Sequence, residues 1–201
     1  MGKLNKFDFH YLFFFIFKIM IHLDNNRPSV FYLNTEYPTI VLKNHPVIDP
    51  NTIEQFMKKK KCLKEHHMYG CSEKPTPNIS FIKDIASGLL DMYHFDHNKK
   101  IWYMDLIRYE LDDQKKPVDS GLAWHCENDN YPDLITVLFY LHKDNTIKNG
   151  NLRYIDNHNI KQTIEINSGT TIIMDGEVMH KPENPTGSGR RDLITISFRK
   201  L

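Results

Sequence analysis

The chain has 201 residues, of which 40% are apolar and 25% charged, and its formal net charge is +1. These values are typical of a globular protein with a core and exclude a disordered chain. The near-neutral charge disfavours generic nucleic-acid binding. Three cysteines form no even-numbered disulfide framework, which favours a reducing compartment such as the cytoplasm.

Residues 1–37 form an N-terminal apolar and polar segment. The stretch YLFFFIFKIMIHL (11–23) is interrupted by Lys18 and is shorter than the roughly 20 apolar residues that a spanning helix needs. We interpret it as an accessory or core-packing segment. A secretory signal or an anchor is the alternative, and no firm membrane signature accompanies it.

Residues 38–201 are predicted to form a single domain. The β-branched stretch 38–48 predicts a strand, and Asp-Pro-Asn-Thr at 49–52 predicts the start of a helix that runs to about residue 62. Glycine, prolines and polar residues indicate a loop over 63–79. Apolar residues at helical spacing predict a second helix over 79–93.

From residue 100 onward the sequence predicts strands separated by short polar turns. The strand candidates are IWYMDLIRYEL (101–111), LITVLFYL (134–141), LRYI (152–155), QTIEI (162–166), TTIIM (170–174) and LITISF (193–198). Several short strands at close spacing indicate a β-sandwich of jelly-roll type. With N-terminal helices packed outside one sheet, the predicted class is α+β with a double-stranded β-helix core.

Four histidines stand two positions before an acidic residue, so that spacing alone carries little information. Only one pair lies between two predicted core strands with further strands after it. The N-terminal segment, a helix–strand connection and a turn account for the other three. The pairs are His22-Leu23-Asp24, His94-Phe95-Asp96, His125-Cys126-Glu127 and His142-Lys143-Asp144.

The pair His125 and Glu127 suits a metal site that takes two histidines and one carboxylate. Ligands at i and i+2 on an extended segment point to the same side, and the third ligand must come from a distant strand. His180 is placed to supply it. Two arginines follow before the last strand, and a guanidinium binds a carboxylate in a bidentate way.

In this order of motifs, residues 105–199 resemble the catalytic core of the iron(II)/2-oxoglutarate-dependent dioxygenases, and most closely the prolyl 4-hydroxylase-like branch. The motifs that carry the resemblance are DLIRYELDD (105–113), HCEN (125–128), TVLFYLHKD (136–144) with NGNLRYI (149–155), and the segment from IEINSG to LITISF (164–198).

The resemblance implies roles for seven residues. His125, Glu127 and His180 would be the catalytic metal ligands. Four residues would bind the co-substrate, namely Arg191 at its far carboxylate, with Tyr109, Tyr140 and Thr195. The family's usual acid is Asp, so the longer Glu127 is a departure, with Asp129 as the alternative ligand. Arg190 is the alternative to Arg191, which is preferred because it is read as standing directly before the last strand.

The implied activity is hydroxylation of an unactivated C–H bond with Fe(II), 2-oxoglutarate and O2, with ascorbate as an accessory reductant. The implied substrate is a peptide or protein, with a prolyl or other side chain as the target. Two rivals stay open, a zinc-dependent hydrolase with the same ligands and a non-catalytic jelly-roll binding module. The sequence carries no indication of oligomeric state.

Overall fold

The computed structural model describes residues 29–43, 63–65, 68–72, 80–112, 123–127 and 133–201. Its elements are β1 (Ser29–Tyr32), β2 (Thr39–Lys43), β3 (Leu63–Glu65), β4 (Met68–Ser72), α1 (Ser80–Met92), β5 (His97–Leu111), β6 (Leu134–Lys143), β7 (Lys148–Asn149), β8 (Leu152–Ile155), β9 (Lys161–Ile164), β10 (Thr170–Asp175), β11 (His180–Pro182), β12 (Pro185–Thr186) and β13 (Gly189–Lys200). Two predictions, the apolar stretch 11–23 and the helix over 49–62, lie outside these residues.

The main sheet has eight strands in the order β1-β2-β10-β6-β13-β5-β4-β3, and its neighbours pair antiparallel. The central strand β6 is a nearly continuous apolar run because both of its faces are covered. Alternate side chains such as Val137 and Phe139 point to one buried cluster, and Leu138 and Tyr140 point to another.

Helix α1 covers one face of the main sheet and confirms the helix predicted over 79–93. Its buried residues Ile82, Ala86, Leu89 and Leu90 recur at intervals of three and four, which places them on one side of the helix. They pack against alternate residues of the sheet, and the burial of each large side chain contributes about 1.5–3 kcal/mol. Leu90 is fully buried in this cluster.

A smaller sheet, in the order β11-β8-β9, faces the opposite side of the main sheet. Between the two sheets lies an apolar core to which both contribute, including Leu152 and Ile164 from the small sheet and Leu138, Ile172 and Leu193 from the large one. Two facing antiparallel sheets around one core form a jelly-roll-like arrangement. The predicted jelly-roll core is therefore confirmed.

Three expectations need correction. Several N-terminal helices were expected, but the described part of the chain contains a single helix, α1. The segment 63–79 was expected to be a loop, but 63–65 and 68–72 pair as a hairpin that continues onto β5, because backbone pairing at a sheet edge outweighs weak local preferences. The last strand was expected to begin after Arg191, but β13 begins at Gly189 and includes both arginines.

No helix within the described residues is long and apolar enough to cross a lipid bilayer.

Candidate functional site

Two histidines that are 55 positions apart in the sequence meet through their backbones at the edge of the small sheet. His180 begins β11 and pairs with Tyr154 of β8. On its other side His180 forms an antiparallel bridge with His125, with N–O distances of 3.0 and 2.8 Å between the two backbones. The two imidazole centroids lie 4.4 Å apart. The bridge holds both rings at one point of the sandwich.

The same backbone arrangement orients each ring. Nδ1 of His125 lies 2.9 Å from the carbonyl oxygen of Ala123, and Nδ1 of His180 lies 2.9 Å from that of Val178. A carbonyl oxygen only accepts, so each Nδ1 carries the proton and donates it. In its neutral form a ring held in this way has its lone pair on Nε2, the form in which histidine binds a metal.

Glu127 completes the cluster from the same short segment as His125. Its Oε1 lies 3.8 Å from Nε2 of His180. One ligand atom from each of the three residues lies within 4.8 Å of the others. This spacing suits a single ion bound by all three residues. Among the described residues these are the only ones grouped in this way.

The protonation states of the cluster follow from burial. His180 is 4% exposed, and burial lowers its pKa to about 4 against an opposing hydrogen bond to Val178, so its ring is neutral at physiological pH. The 3.8 Å contact with Glu127 is therefore not a charged pair. Burial also raises the pKa of Glu127, and nearby His125 opposes that rise.

The donor set fits a borderline divalent cation such as Fe(II) or Zn(II). Two imidazole nitrogens and one carboxylate oxygen match a site that leaves further coordination positions open. Cys126, between the two proposed ligands, is buried and is not part of the group. The alternative acid, Asp129, lies outside the described residues.

A second cluster surrounds Arg191, whose side chain is 1% exposed. Its guanidinium carbon lies 5.3 Å from the ring centroid of Tyr109 and 5.1 Å from that of Tyr140. It forms no ion pair with any carboxylate in the described part of the chain, and its buried Nε has no hydrogen-bond partner there. A guanidinium stays charged inside proteins, so this cation has no counter-ion among the described residues.

The two tyrosines beside Arg191 are neutral hydroxyls. Burial raises the pKa of Tyr109 and of Tyr140, while the positive charge of Arg191 opposes the rise. The cluster thus combines a cation that has no carboxylate partner among the described residues with hydroxyl groups, which is the chemistry of an anion-binding pocket.

Arg190 and Thr195, which the sequence also offers as co-substrate contacts, are less buried than Arg191. Arg190 is half-buried, and its Nε lies 3.2 Å from a carboxylate oxygen of Asp192, which already pairs with Arg108. Arg190 therefore has a carboxylate beside it, which it shares with Arg108. Thr195 lies on the same face of β13 as Arg191 but is only half-buried, and no hydrogen bond joins its side chain to either cluster among the described residues.

Two features of the site cannot be predicted from the sequence. The carbonyl groups of Ala123 and Val178 orient the imidazoles, yet any residue supplies such a group. The pairing of His180 with Tyr154 is equally hidden, because it depends on strand register. Only the extended backbone around each histidine could have been expected.

Comparison with solved structures shows clear likenesses at low sequence identity. A 2OG-Fe(II) oxygenase family oxidoreductase from Burkholderia pseudomallei superposes with a TM-score of 0.60 at 14% identity, over 81% of this chain and 84% of that one. A prolyl-4-hydroxylase from Pseudomonas putida gives 0.56 at 10% identity, over 83% and 94%. HygX from Streptomyces hygroscopicus, with nickel and 2-oxoglutarate bound, gives 0.56 at 11% identity, over 81% and 83%.

No family model and no curated protein matches the sequence, so the likeness rests on three-dimensional structure. The fold that the sequence resemblance implies is therefore confirmed. The chain has the jelly-roll-like fold of the 2OG-Fe(II) oxygenases, including that of prolyl-4-hydroxylases.

Proposed function

We propose that this protein is an Fe(II)- and 2-oxoglutarate-dependent hydroxylase. The observation that carries the proposal is the joint presence of two clusters that border on one core. One is a His–Glu–His group with convergent ligand atoms, and the other is a buried arginine that pairs with no carboxylate of the described residues. The fold shared with 2OG-Fe(II) oxygenases supports the same assignment.

In this proposal His125, Glu127 and His180 hold the metal. When bound, the iron supplies the oxygen activation that protein side chains cannot perform. The chain's own contribution is to present two unprotonated Nε2 atoms and one carboxylate without rearrangement, because the Ala123 and Val178 carbonyls already fix both rings. Because the two rings are already oriented, the free-energy cost of ordering the ligands for metal binding is lower.

Arg191 holds the far carboxylate of 2-oxoglutarate, and Tyr109 and Tyr140 line the same pocket. A carboxylate there supplies the counter-ion that the described part of the chain does not. The neutral tyrosine hydroxyls can donate to it. Thr195 is a weaker member of this set, because it is only half-buried and contacts neither cluster through a hydrogen bond.

We assign the substrate to the class of peptides or proteins, with a prolyl or other side chain hydroxylated at an unactivated C–H bond. This assignment rests on the sequence resemblance and on the fold likeness to the Pseudomonas putida prolyl-4-hydroxylase. A zinc hydrolase built on the same triad would leave the uncompensated charge of Arg191 without a role.

Anaerobic titration with Fe(II) and 2-oxoglutarate tests the proposal. Wild-type protein should develop the visible charge-transfer band of a metal-bound 2-oxo acid, and His180→Ala should lose it. Glu127→Gln removes the anionic ligand, whereas Glu127→Asp keeps it on a shorter stem, so only the latter should retain metal.

In air, formation of succinate should require both added iron and 2-oxoglutarate. Hydrolysis with zinc alone, or uptake of Fe(II) only after Glu127→Asp, would instead identify one of the two rivals.

A further inference from the structure

A second cation, Lys143, faces the Arg191 pocket because of an irregularity in β6. Register pairs Leu193 with Tyr140, Asp192 with His142 and Arg191 with Lys143, so one residue of β6 is skipped. Tyr140 already points to the core between the sheets. Strict alternation would then turn Lys143 to the outer face, and the bulge returns it to the face of Arg191.

The ammonium of Lys143 is held in place by the backbone. Its Nζ donates to the carbonyl oxygen of Asn149 at 2.9 Å and to that of Ile166 at 3.0 Å. The next residue, Gly150, has φ +71°, and a Cβ added there would lie 3.4 Å from Nη1 of Arg191. A hydrogen bond to Lys143 therefore holds the Asn149–Gly150 turn in place. Gly150 of this turn lies next to the guanidinium of Arg191.

The two cations repel each other. Burial lowers the pKa of Lys143, and the positive charge of Arg191 lowers it further, against Glu165 and Glu183. Neither cation forms an ion pair with a carboxylate in the described part of the chain. Like charges directly across two strands are unfavourable, and a bound anion would offset that cost.

We propose that Lys143 is a positioning and selectivity residue of this pocket: it holds the Asn149–Gly150 turn against Arg191 and adds the second positive charge that selects a 2-oxo acid with a far carboxylate. This inference rests on the proposed function and extends it. Lys143 acts on the ligand through its charge and through the turn, while Arg191 makes the direct contact.

The test compares two ligands on three proteins. 2-Oxoglutarate and 2-oxopentanoate share the 2-oxo acid end, but only the former has a far carboxylate. Lys143→Gln keeps two N–H donors and removes the charge. Lys148→Gln, at an exposed lysine on the neighbouring strand β7, changes net charge equally and serves as the control. Dissociation constants are measured by calorimetry under argon on protein loaded with Mn(II), with Mn(II) affinity measured separately.

Lys143→Gln should weaken 2-oxoglutarate binding by about tenfold, since a unit charge near a partly buried anion acts at low effective dielectric. The affinities of Lys143→Gln for 2-oxopentanoate and Mn(II) should stay within about twofold of wild type. All three affinities of Lys148→Gln should do the same, because solvent screens the charge of Lys148. Lys143→Arg should keep the preference for the dicarboxylate, and it decides the question if Lys143→Gln does not fold.

Equal loss for both 2-oxo acids would mean general damage to the pocket and would overturn the inference, as would unchanged 2-oxoglutarate binding in Lys143→Gln. Loss of the preference in Lys143→Arg would also overturn it, because the charge is retained there. Wild-type protein that binds Mn(II) but neither 2-oxo acid overturns the proposed function itself, which distinguishes the two failures.

Discussion

Replacing Arg191 by methionine separates ligand binding from folding. Methionine is unbranched, fills the inner part of the space that the arginine stem occupies, and carries no charge. A hydrogen bond to a charged group contributes about 1.5–3 kcal/mol, which corresponds to a loss of 2-oxoglutarate affinity of about 10- to 150-fold. The unliganded protein loses the contacts with the Tyr109 and Tyr140 rings but no longer buries a cation that pairs with no carboxylate of the described residues. We expect its free energy of unfolding to change by less than about 2 kcal/mol.

Urea unfolding of Mn(II)-loaded protein with and without 2-oxoglutarate measures both quantities. At a ligand concentration of 100 times the wild-type Kd, the ligand stabilises wild-type protein by about 2.7 kcal/mol. If the variant binds 100-fold more weakly, the same concentration stabilises it by only about 0.4 kcal/mol. Arg190→Met is the control, since Arg190 is directed to Asp192, and it should keep the full ligand effect. The reasoning is refuted if Arg191→Met keeps that effect while Arg190→Met loses it.

Four further predictions concern stability. Asp192→Ala leaves Arg108 buried without its carboxylate partner at 2.8 Å, so urea unfolding should show a loss of about 3–5 kcal/mol, and a loss under 1 kcal/mol would contradict the pairing. Gly187→Ala forces a side chain into φ +95° with its Cβ 2.3 Å from a backbone oxygen, and should cost more than about 2 kcal/mol. Gly88→Ala, with open space in α1, should instead stabilise by about 0.5–1 kcal/mol. Hydrogen bonds from a backbone N–H of β13 and an adjacent imidazole lower the pKa of Asp144. The stabilisation of the folded protein by the Asp144 carboxylate is therefore complete above the ordinary aspartate pKa of about 4. It is lost as the pH falls through the lower pKa that Asp144 has in the folded protein. Asp144→Asn should make the free energy of unfolding depend less on pH in this acid range. An unchanged pH dependence would refute this role of Asp144.

Much of the fold could be predicted from local pattern alone. Helix α1 was expected within one residue at each end, because its apolar residues repeat at helical spacing. The core strands β6, β8, β10 and β13 were expected for a similar reason, since short β-branched and apolar runs are bounded by turn residues. The hairpin of β3 and β4 was missed, because its strands carry polar residues and pair at the edge of the sheet.

At the candidate site, the sequence indicates the types of the functional residues and their order along the chain. It does not indicate how these residues are arranged in space. The chain itself determined that His125, Glu127, His180 and a pair of arginines occur in an order suited to metal and carboxylate binding, because these side chains carry that chemistry in any fold. Only the tertiary structure decided that the backbones of His125 and His180 pair, that Arg191 is buried while Arg190 lies beside Asp192, and that Lys143 shares the pocket face. The physical reason is that burial, strand register and a one-residue bulge depend on contacts between distant segments, which a local pattern does not contain.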